Sequence, residues 1–303
     1  MKTLLLIINL AIIPLLLTGV IRKIKALMQT RIGAPLLQPF YDIAKLLSKS
    51  ETISETASWI FIWAPRIGLA IGILTAAIVP WAGVLIPARV FTSTNFLLAL
   101  YLMTLAKFMV MLAAMDTGSA FGGLGASREA TIGLLVEPTM VLGLSALSLG
   151  AGNMDLAVIY SGYINPFVAI LVGIAFVLAS LAELSRIPVD DPTTHLELTM
   201  VHEAMILENS GPNLAITEYA VALRTCVLFG LATQTLLHIL PGYETLPSAV
   251  RYTLSLTGLF SLGIIIAVAE GVMVKLKWRS VPNFLAFTTV LSLLAGLFAV
   301  ALR

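Results

Sequence analysis

Six charged residues lie within or at the ends of otherwise apolar segments, and they are the residues best placed to do chemistry. They are Lys107, Glu137, Glu183, Arg186, Arg224 and Glu270. If those segments cross a membrane, each charge costs between about 3 and more than 10 kcal/mol, so each needs a partner or a function. Carboxylates and cations held in dry surroundings can pass protons along a chain. The pattern therefore predicts a path for ions.

Spacing suggests local partners for some of these charges. Glu183 and Arg186 are three residues apart and would share a helix face, so we expect an ion pair with either a structural or an ion-conducting role. Lys107 and Glu137 would reach similar depths on antiparallel helices. They either neutralise each other or form part of a relay. Glu270 has no local counter-ion, which predicts a relay group or a partner for Arg224.

The densest acidic stretch is 183–208, which contains six of the sixteen acidic residues: Glu183, Asp190, Asp191, Glu197, Glu203 and Glu208. Pro188 and Pro192 interrupt a helix here, and Thr194 with Glu197 has the spacing of a capping box that starts a new one. We expect a funnel of proton acceptors beside the membrane. His195 and His202 do not follow the zinc-binding H-E-x-x-H order, so no metal site is predicted.

The composition of the chain indicates that these charged residues lie in a membrane protein. The chain has 303 residues, of which 59% are hydrophobic and 11% charged, with a mean hydropathy of +1.00. Soluble domains have roughly 45–50% apolar and about 25% charged residues, so a water-soluble globular protein is excluded. A net charge of +2 argues against a nucleic-acid-binding surface. A single cysteine, Cys226, excludes an intrachain disulfide and a cluster held by cysteines of this chain.

Apolar segments long enough to span a bilayer define the fold. A spanning helix needs about 20 mostly apolar residues, and eight segments qualify. Arg22, Lys23 and Lys25 follow the first segment where a signal peptide would have a cleavage site, so we interpret it as a retained anchor. The chain is predicted to be a single all-α integral membrane domain, residues 1–303, with about eight transmembrane helices at about 3–21, 66–87, 95–115, 130–150, 160–183, 217–240, 250–274 and 281–302.

Basic residues are unequally divided between the loops. Eleven lie after odd-numbered spans, whereas the loops after even-numbered spans contain two, Arg89 and Arg251. Because Lys and Arg concentrate in cytoplasmic loops, the odd loops are predicted to be cytoplasmic and both termini to lie outside. The eleven are Arg22, Lys23, Lys25, Arg31, Lys45, Lys49, Arg128, Arg186, Lys275, Lys277 and Arg279.

Two of these predicted cytoplasmic loops are long, at about 22–65 and 184–216, and they suggest a docking platform for a partner. In the first, Leu36, Phe40, Ile43 and Leu47 recur at helical spacing, which predicts an amphipathic helix at the membrane interface. An ordinary surface helix packed on the bundle fits the same pattern. No pair of homologous halves, typical of many secondary transporters, is evident.

Several runs resemble the membrane protein of complex I, the NADH-quinone oxidoreductase, that lies at the junction with the hydrophilic arm. They are QTRIGAP at 29–35, LQP at 37–39, DIAKL at 42–46, 118–138 and 183–208. The runs DTGS at 116–119, GASRE at 125–129 and IPVDDPTTHLELTM at 187–200 are more similar to energy-converting nickel–iron hydrogenases of the formate hydrogenlyase type. The resemblance covers essentially the whole chain.

This resemblance implies a non-catalytic subunit of an oxidoreductase complex in the cytoplasmic (inner) membrane of a prokaryote. Its partners would be hydrogenase-like small and large subunits, an iron–sulfur subunit and antiporter-like membrane subunits. The nickel–iron centre and iron–sulfur clusters would belong to those partners, and this chain would bind no cofactor. Carried over from the family, the ion path would contain Glu137, Glu183, Arg186, Asp190, Glu197, Glu203 and Glu208.

Charge burial adds Lys107, Arg224 and Glu270 to that path, while Arg31, Gln38, Asp42 and Lys45 are expected to shape the docking loop. The leading hypothesis is coupling of electron transfer to proton or sodium translocation. One alternative is the quinone-site subunit of a respiratory NADH-quinone oxidoreductase, which would bind quinone. A second is a stand-alone secondary transporter, against which the long acidic loops argue.

Overall fold

The computed structural model describes residues 2–83, 94–191 and 200–302, and its secondary structure in these ranges is helical. The helices are α1 (Lys2–Met28), α2 (Gln38–Leu47), α3 (Trp59–Ile78), α4 (Phe96–Asp116), α5 (Ala120–Ala151), α6 (Leu156–Ile159), α7 (Pro166–Glu183), α8 (His202–Ile206), α9 (Gly211–Leu237), α10 (Ser248–Val272) and α11 (Val281–Ala301).

Eight helices within the described ranges are long and apolar enough to cross a membrane. They are α1, α3, α4, α5, α7, α9, α10 and α11, which confirms the predicted all-α membrane bundle. We call the side that carries the connections after the first, third, fifth and seventh of these helices the odd face. The opposite side is the even face.

The second span begins earlier than predicted. The hydropathy pattern placed it at 66–87, but α3 covers Trp59–Ile78. The Ser58 side chain accepts a hydrogen bond from the Ile60 amide and caps the first turn. Pro80 follows directly after the C-cap residue Val79, and the conformation that proline imposes on its predecessor ends the helix there.

The fourth span is longer than predicted, and this difference matters for the site. The expected span was 130–150, whereas α5 begins at Ala120 and runs to Ala151. Ser127, Arg128 and Glu129 interrupt the apolar pattern, so a hydropathy window excludes the first turns of this helix. Glu129 lies inside α5 and is 1% exposed.

Helix α9 occupies the centre of the bundle. It packs against α1, α3, α7 and α10 and also against the short helix α2. Helix α5 packs against α4, α7 and α11 on the other side of α7. Residues 226–232 of α9 are all buried.

The amphipathic helix predicted in the first long loop is present as α2. Its approach to the bundle depends on Gly19 in α1, because a Cβ at this position would lie 2.0 Å from the carbonyl oxygen of Leu36. Only glycine allows the loop to come this close to α1. Helix α2 then packs against α1 and α9 on the odd face.

The second long loop is shorter than expected, because α9 begins at Gly211 and not near 217. Helix α7 ends at Glu183 as predicted. The predicted capping box at Thr194 and Glu197, together with His195, lies outside the described residues. The loop ends with the short helix α8, His202–Ile206, which packs against α4 and α5.

Candidate ion-translocation site

Three charged side chains from three different helices meet inside the bundle, and we call them the inner cluster. The Lys107 Nζ lies 3.0 Å from Glu129 Oε1 and 2.8 Å from Glu183 Oε2. Lys107 is 4% exposed and Glu129 1%. Two carboxylates therefore share one ammonium group, so the cluster carries one uncompensated negative charge.

The expected pairing of Lys107 with Glu137 is wrong. Lys107 lies nine residues before the end of α4, and Glu129 lies nine residues after the start of α5. At 1.5 Å per residue both are therefore about 13 Å from the odd ends of their helices. Glu137 lies two turns further along α5, where it is exposed and accepts a hydrogen bond from Thr104 Oγ1 at 2.9 Å.

The segment directly after α7 contacts the inner cluster as well. Ser185 Oγ donates a hydrogen bond to Glu129 Oε2 at 3.2 Å. Ser185 has a φ of 48°, in the left-handed region that side chains rarely adopt. The turn that ends α7 therefore places this hydroxyl beside Glu129, two residues beyond Glu183.

A second group of charges, the outer cluster, comprises Lys25, Arg186 and Glu270. Arg186 Nη1 lies 2.9 Å from Glu270 Oε1, and Lys25 Nζ lies 2.9 Å from Glu270 Oε2. The Glu270 side chain is 1% exposed. Here one buried carboxylate is shared by two cations, which is the reverse of the inner cluster.

Two further expectations are wrong here. Glu183 and Arg186 do not pair, because α7 ends at Glu183 and the chain turns before Arg186, so the two side chains no longer share a helix face. Glu270 does not pair with Arg224 but with the outer-cluster cations. The guanidinium of Arg186 also lies 5.6 Å from the centre of the Phe229 ring, where a cation–π interaction is favourable.

Asp190 anchors the end of the same segment. Its Oδ1 lies 2.7 Å from Lys275 Nζ, and its Oδ2 accepts a hydrogen bond from the Val201 amide at 2.8 Å. Asp190 is 1% exposed. The nine residues 183–191 therefore supply two groups to the inner cluster, Glu183 and the Ser185 hydroxyl, one to the outer cluster and one to Lys275.

Arg224 lies midway along α9, thirteen residues from either end. Within the part of the chain that the structure describes, its side chain forms no ion pair or hydrogen bond at contact distance. Its charge still acts electrostatically on Lys107 and Glu129. Because the inner cluster has one excess negative charge, Arg224 supplies the balancing positive charge without touching it.

Two cavities lie near the inner cluster, one lined by Glu183 itself and the other by the residues that follow it, Leu184 and Ser185. The outer cavity, of about 560 Å³, opens on the odd half of the bundle, and its wall includes five of the predicted path residues or their partners. The lateral cavity, of about 190 Å³, lies between α4, α5 and α7 and is lined by Lys107, Glu137 and Glu183. The outer cavity is lined by Lys25, Arg186, Asp190, Glu203 and Glu270, among others.

Glu203 on α8 faces the outer cavity outside the membrane-spanning helices. Burial raises the pKa of this carboxyl above its ordinary value, and the nearby Glu218 and Asp190 raise it further against an opposing effect of His202. A carboxyl with a raised pKa changes its protonation state closer to neutral pH. Of the other predicted path residues, Glu208 is exposed and lines neither cavity, and Glu197 lies outside the described residues.

The residues predicted to shape the docking loop lie on the odd face. Gln38 Nε2 donates to Asp42 Oδ1 at 2.8 Å, and Asp42 also pairs with Arg22 at 3.2 Å. These contacts fix one turn of α2. Arg31 and Lys45 are exposed.

Sequence reasoning missed four residues of the site: Lys25, Glu129, Ser185 and Lys275. Lys25 and Lys275 were interpreted only as loop charges. The sequence does not show whether a lysine near the end of a span points to solvent or pairs with a buried carboxylate. Glu129 was missed because Ser127, Arg128 and Glu129 interrupt the apolar pattern, so hydropathy does not place it in a spanning helix. No sequence signal indicates the backbone conformation that turns Ser185 inward.

The even half of the bundle is held together differently. Tyr243 Oη donates to Gln234 Oε1 at 3.1 Å and lies 3.2 Å from Ser255 Oγ. Tyr160 Oη lies 3.0 Å from Thr235 Oγ1. Each of these side chains is buried and neutral. Among the described residues, every ion pair lies in the odd half.

Comparison with known proteins gives a consistent result. The chain is 33% identical to "Hydrogenase-4 component C" of Escherichia coli (strain K12) over 221 residues, which cover 71% of this chain and 68% of that protein. It is 31% identical to "Formate hydrogenlyase subunit 4" of the same organism over 227 residues, covering 72% and 71%.

The fold is shared with a chain of a solved archaeal respiratory membrane complex, the membrane-bound sulfane sulfur reductase. The TM-score is 0.83 over 98% of each chain, at 20% sequence identity. The family described as "NADH dehydrogenase" matches residues 1–301. The chain therefore belongs to the NADH dehydrogenase family.

Proposed function

We propose that this chain is a non-catalytic membrane subunit of an energy-converting hydrogenase complex of the formate hydrogenlyase type. In this role it anchors the soluble redox arm and couples electron transfer to proton or sodium translocation. Similarity to a hydrogenase-4 component and a formate hydrogenlyase subunit supports the assignment. The observation that carries the coupling role is the inner cluster, in which Glu129 and Glu183 share Lys107 beside the lateral cavity, while Ser185 of the adjoining segment lines the outer cavity.

The proposed path starts at the odd face, which we assign to the cytoplasm, and leads into the outer cavity. Ions pass Glu203 and reach Glu183 and Lys107. Residues 226–232 of α9 are buried and apolar, and the buried polar side chains beyond them, such as Gln234 and Tyr243, are neutral, which opposes a direct crossing to the even face. The path instead leaves sideways through the lateral cavity, past the exposed Glu137.

In the proposed cycle, Lys107, which contacts both carboxylates in the structure, alternates between two positions, one closer to Glu129 and one closer to Glu183. When Lys107 moves toward Glu129, Glu183 loses its counter-ion and binds a cation or a proton. When Lys107 moves back toward Glu183, Glu183 releases the bound cation or proton into the lateral cavity. Electrostatic stabilisation of this kind is strong in a low-dielectric interior, so small displacements change occupancy.

Segment 183–191 is the proposed link to the redox arm. It contacts both clusters through Glu183 and Arg186. A movement of this segment, caused by a change in a docked subunit, would alter the partners of Lys107 and Glu270 together. Coupling would then need no redox group on this chain.

The proposed partners are hydrogenase-like small and large subunits, an iron–sulfur subunit and antiporter-like membrane subunits. The nickel–iron centre and iron–sulfur clusters would lie on those partners. The exposed Glu137 is the point where an antiporter-like subunit would receive the ion, because a carboxylate facing lipid is costly and a protein neighbour removes that cost. We place the complex in the cytoplasmic membrane of a prokaryote, with both termini outside.

The assignment is tested by purifying the complex through a tag on this chain and identifying what accompanies it. We expect a large subunit with two Cys-x-x-Cys pairs, able to hold nickel and iron, and hydrogen evolution linked to formate or ferredoxin. Recovery of a lone active transporter would contradict the proposal. So would a complex without hydrogenase-like subunits.

A quinone site is the second candidate, favoured by the size of the outer cavity. Its volume of about 560 Å³ falls within the range of roughly 300–1,000 Å³ typical of small-ligand sites. Quinone-dependent activity that is sensitive to a complex I inhibitor would support this function. Hydrogen evolution insensitive to such an inhibitor would favour the first proposal.

Docking of the soluble arm is tested at Arg31, which is exposed on the odd face. The change Arg31→Glu should release the soluble subunits, because like charges brought together at an interface cost several kcal/mol. The measurement is the amount of soluble subunit retained on the tagged membrane part. Arg279→Glu, a matched reversal at another exposed site on the odd face, should retain them. Full retention in Arg31→Glu would count against docking through this loop.

A further inference from the structure

A third cavity, of about 260 Å³, lies between α1, α2 and α9 and has no role in the proposed ion path. One part of its wall is apolar, formed by Leu15, Ile43, Leu46 and Leu214. The other part is charged, formed by Arg22, Asp42, Lys45, Lys49 and Glu218. The cavity therefore combines a hydrocarbon-like floor with an ionic rim.

The ionic rim has an excess of positive charge. Arg22 is neutralised, because its guanidinium lies 3.2 Å from Asp42 Oδ2 and 3.5 Å from Glu218 Oε2. Lys45 lies in the last turn of α2 and Lys49 just beyond its end, and neither ammonium group has an ion pair or hydrogen bond with any residue in the described ranges. Two unpaired cations thus face the same cavity.

Helix α2 has the character of a helix that contacts lipid headgroups. It is amphipathic, and two of its large apolar side chains are exposed, Tyr41 at 59% and Leu47 at 54%. Exposed apolar groups beside lysines on a short helix are typical of a helix lying at the membrane interface. Lysines at that level attract anionic lipids.

We propose that the cavity between α1, α2 and α9 binds an anionic phospholipid, with its phosphate between Lys45 and Lys49 and the upper part of one acyl chain against Leu15, Leu46 and Leu214. The volume is below that of a site enclosing a whole drug-sized ligand, so only the phosphate end and the first part of a chain are enclosed. The apolar floor favours a lipid over free phosphate, which has no apolar part to bury.

A lipid bound at this site would affect the neighbouring parts of the bundle. Arg22 and Glu218 line both this cavity and the outer cavity, so their ion pair forms part of the wall between the two. A phosphate on Lys45 and Lys49 would neutralise the cations next to that wall. It would also hold α2 against α1 and α9.

The test uses the intact complex, reconstituted in vesicles of phosphatidylcholine with phosphatidylglycerol and then examined by native mass spectrometry. Wild type should retain phosphatidylglycerol in preference to phosphatidylcholine. Lys49→Gln should weaken this retention about fivefold, and the double variant Lys45→Gln/Lys49→Gln about 25-fold, since each lysine near a lipid surface contributes about 1 kcal/mol. Lys277→Gln removes an exposed lysine elsewhere on the odd face and should leave retention unchanged.

The same spectra separate this proposal from docking, because they show whether the soluble subunits remain bound. Loss of phosphatidylglycerol from Lys49→Gln with the soluble subunits still present supports the lipid site. Equal retention in wild type and the double variant would overturn it, as would an equal loss in Lys277→Gln. Displacement of the lipid by millimolar inorganic phosphate, or by a neutral quinone analogue, would also overturn it.

Discussion

The odd and even halves of the bundle hold their helices together by different means. In the even half, Tyr243, Gln234 and Ser255 form neutral hydrogen bonds between buried side chains. In the odd half, Lys107 and Glu270 lie at the centres of two buried ion clusters. Both halves are built on the central helix α9 and its neighbours. Neighbouring helices are therefore joined by neutral hydrogen bonds in one half and by ion clusters in the other.

The even half shows that neutral hydrogen bonds are sufficient to join these helices. A buried ion pair costs desolvation energy that its attraction often only balances, so it is weak support for stability. The charges of the odd half are thus better explained by a role in ion translocation than by a role in joining the helices. Both the lateral cavity at Glu183 and the outer cavity at Ser185 and Arg186 are lined by these charged groups or their neighbours.

The largest expected difference between the halves comes from removing Lys107. Lys107→Met would leave Glu129 and Glu183 buried without their cation, and breaking a buried pair in this way costs about 3–5 kcal/mol. We expect loss of redox-driven pumping and a lower yield of assembled complex. Pumping in proteoliposomes and the amount of complex on a native gel measure the two effects.

Lys107→Arg is the matched control for that change, because it keeps the positive charge between Glu129 and Glu183. It should restore assembly even if pumping is slowed. Equal assembly in Lys107→Met and wild type would show that Glu129 and Glu183 do not need the positive charge of Lys107.

In the even half, Tyr243→Phe removes one neutral hydroxyl and its contacts with Gln234 and Ser255. The expected loss is about 1 kcal/mol of stability, the usual contribution of one hydrogen bond. Pumping should be unchanged. The melting temperature and the pumping rate of the same preparation test both parts, and a loss of pumping would remove the functional difference between the halves.

The smallest effect is expected at Glu203, and it depends on pH. The pKa of Glu203 is raised by burial, so its charged form is less favourable in the folded protein than in the unfolded chain. Glu203→Gln should therefore become more stable than wild type as pH rises above the ordinary glutamate value of 4.5 and through the raised pKa. Below the ordinary value the two should match. Melting curves over a pH series measure this, and a difference that is constant with pH would contradict it.

Much of the fold was predictable from hydropathy, because a bilayer requires long apolar helices whatever their neighbours are. All eight spans and helix α2 were predicted. Helix ends were less accurate where polar residues continue a helix beyond its apolar part. The start of α5 at Ala120 is the clearest case, since Ser127, Arg128 and Glu129 lie within it.

The membership of the site was more predictable than its pairings. Lys107, Glu183, Arg186 and Glu270 were identified because charge within an apolar segment is visible in a sequence. Their partners were not, since pairing depends on helix rotation and on which helices are neighbours in space. Lys25 and Glu270 are 245 positions apart in the chain yet their side chains meet at 2.9 Å.

The central claim is that the carboxylates of the inner cluster and the lateral cavity carry ions, and the number of ions pumped per electron in proteoliposomes tests it most directly. The variants are Glu183→Gln in the inner cluster and Glu137→Gln at the lateral cavity, with Asp155→Asn on the even side of the bundle as the matched control. The prediction is that both glutamate variants assemble and transfer electrons but no longer pump, while the control pumps as wild type does. Unchanged pumping in Glu183→Gln and Glu137→Gln would contradict the account.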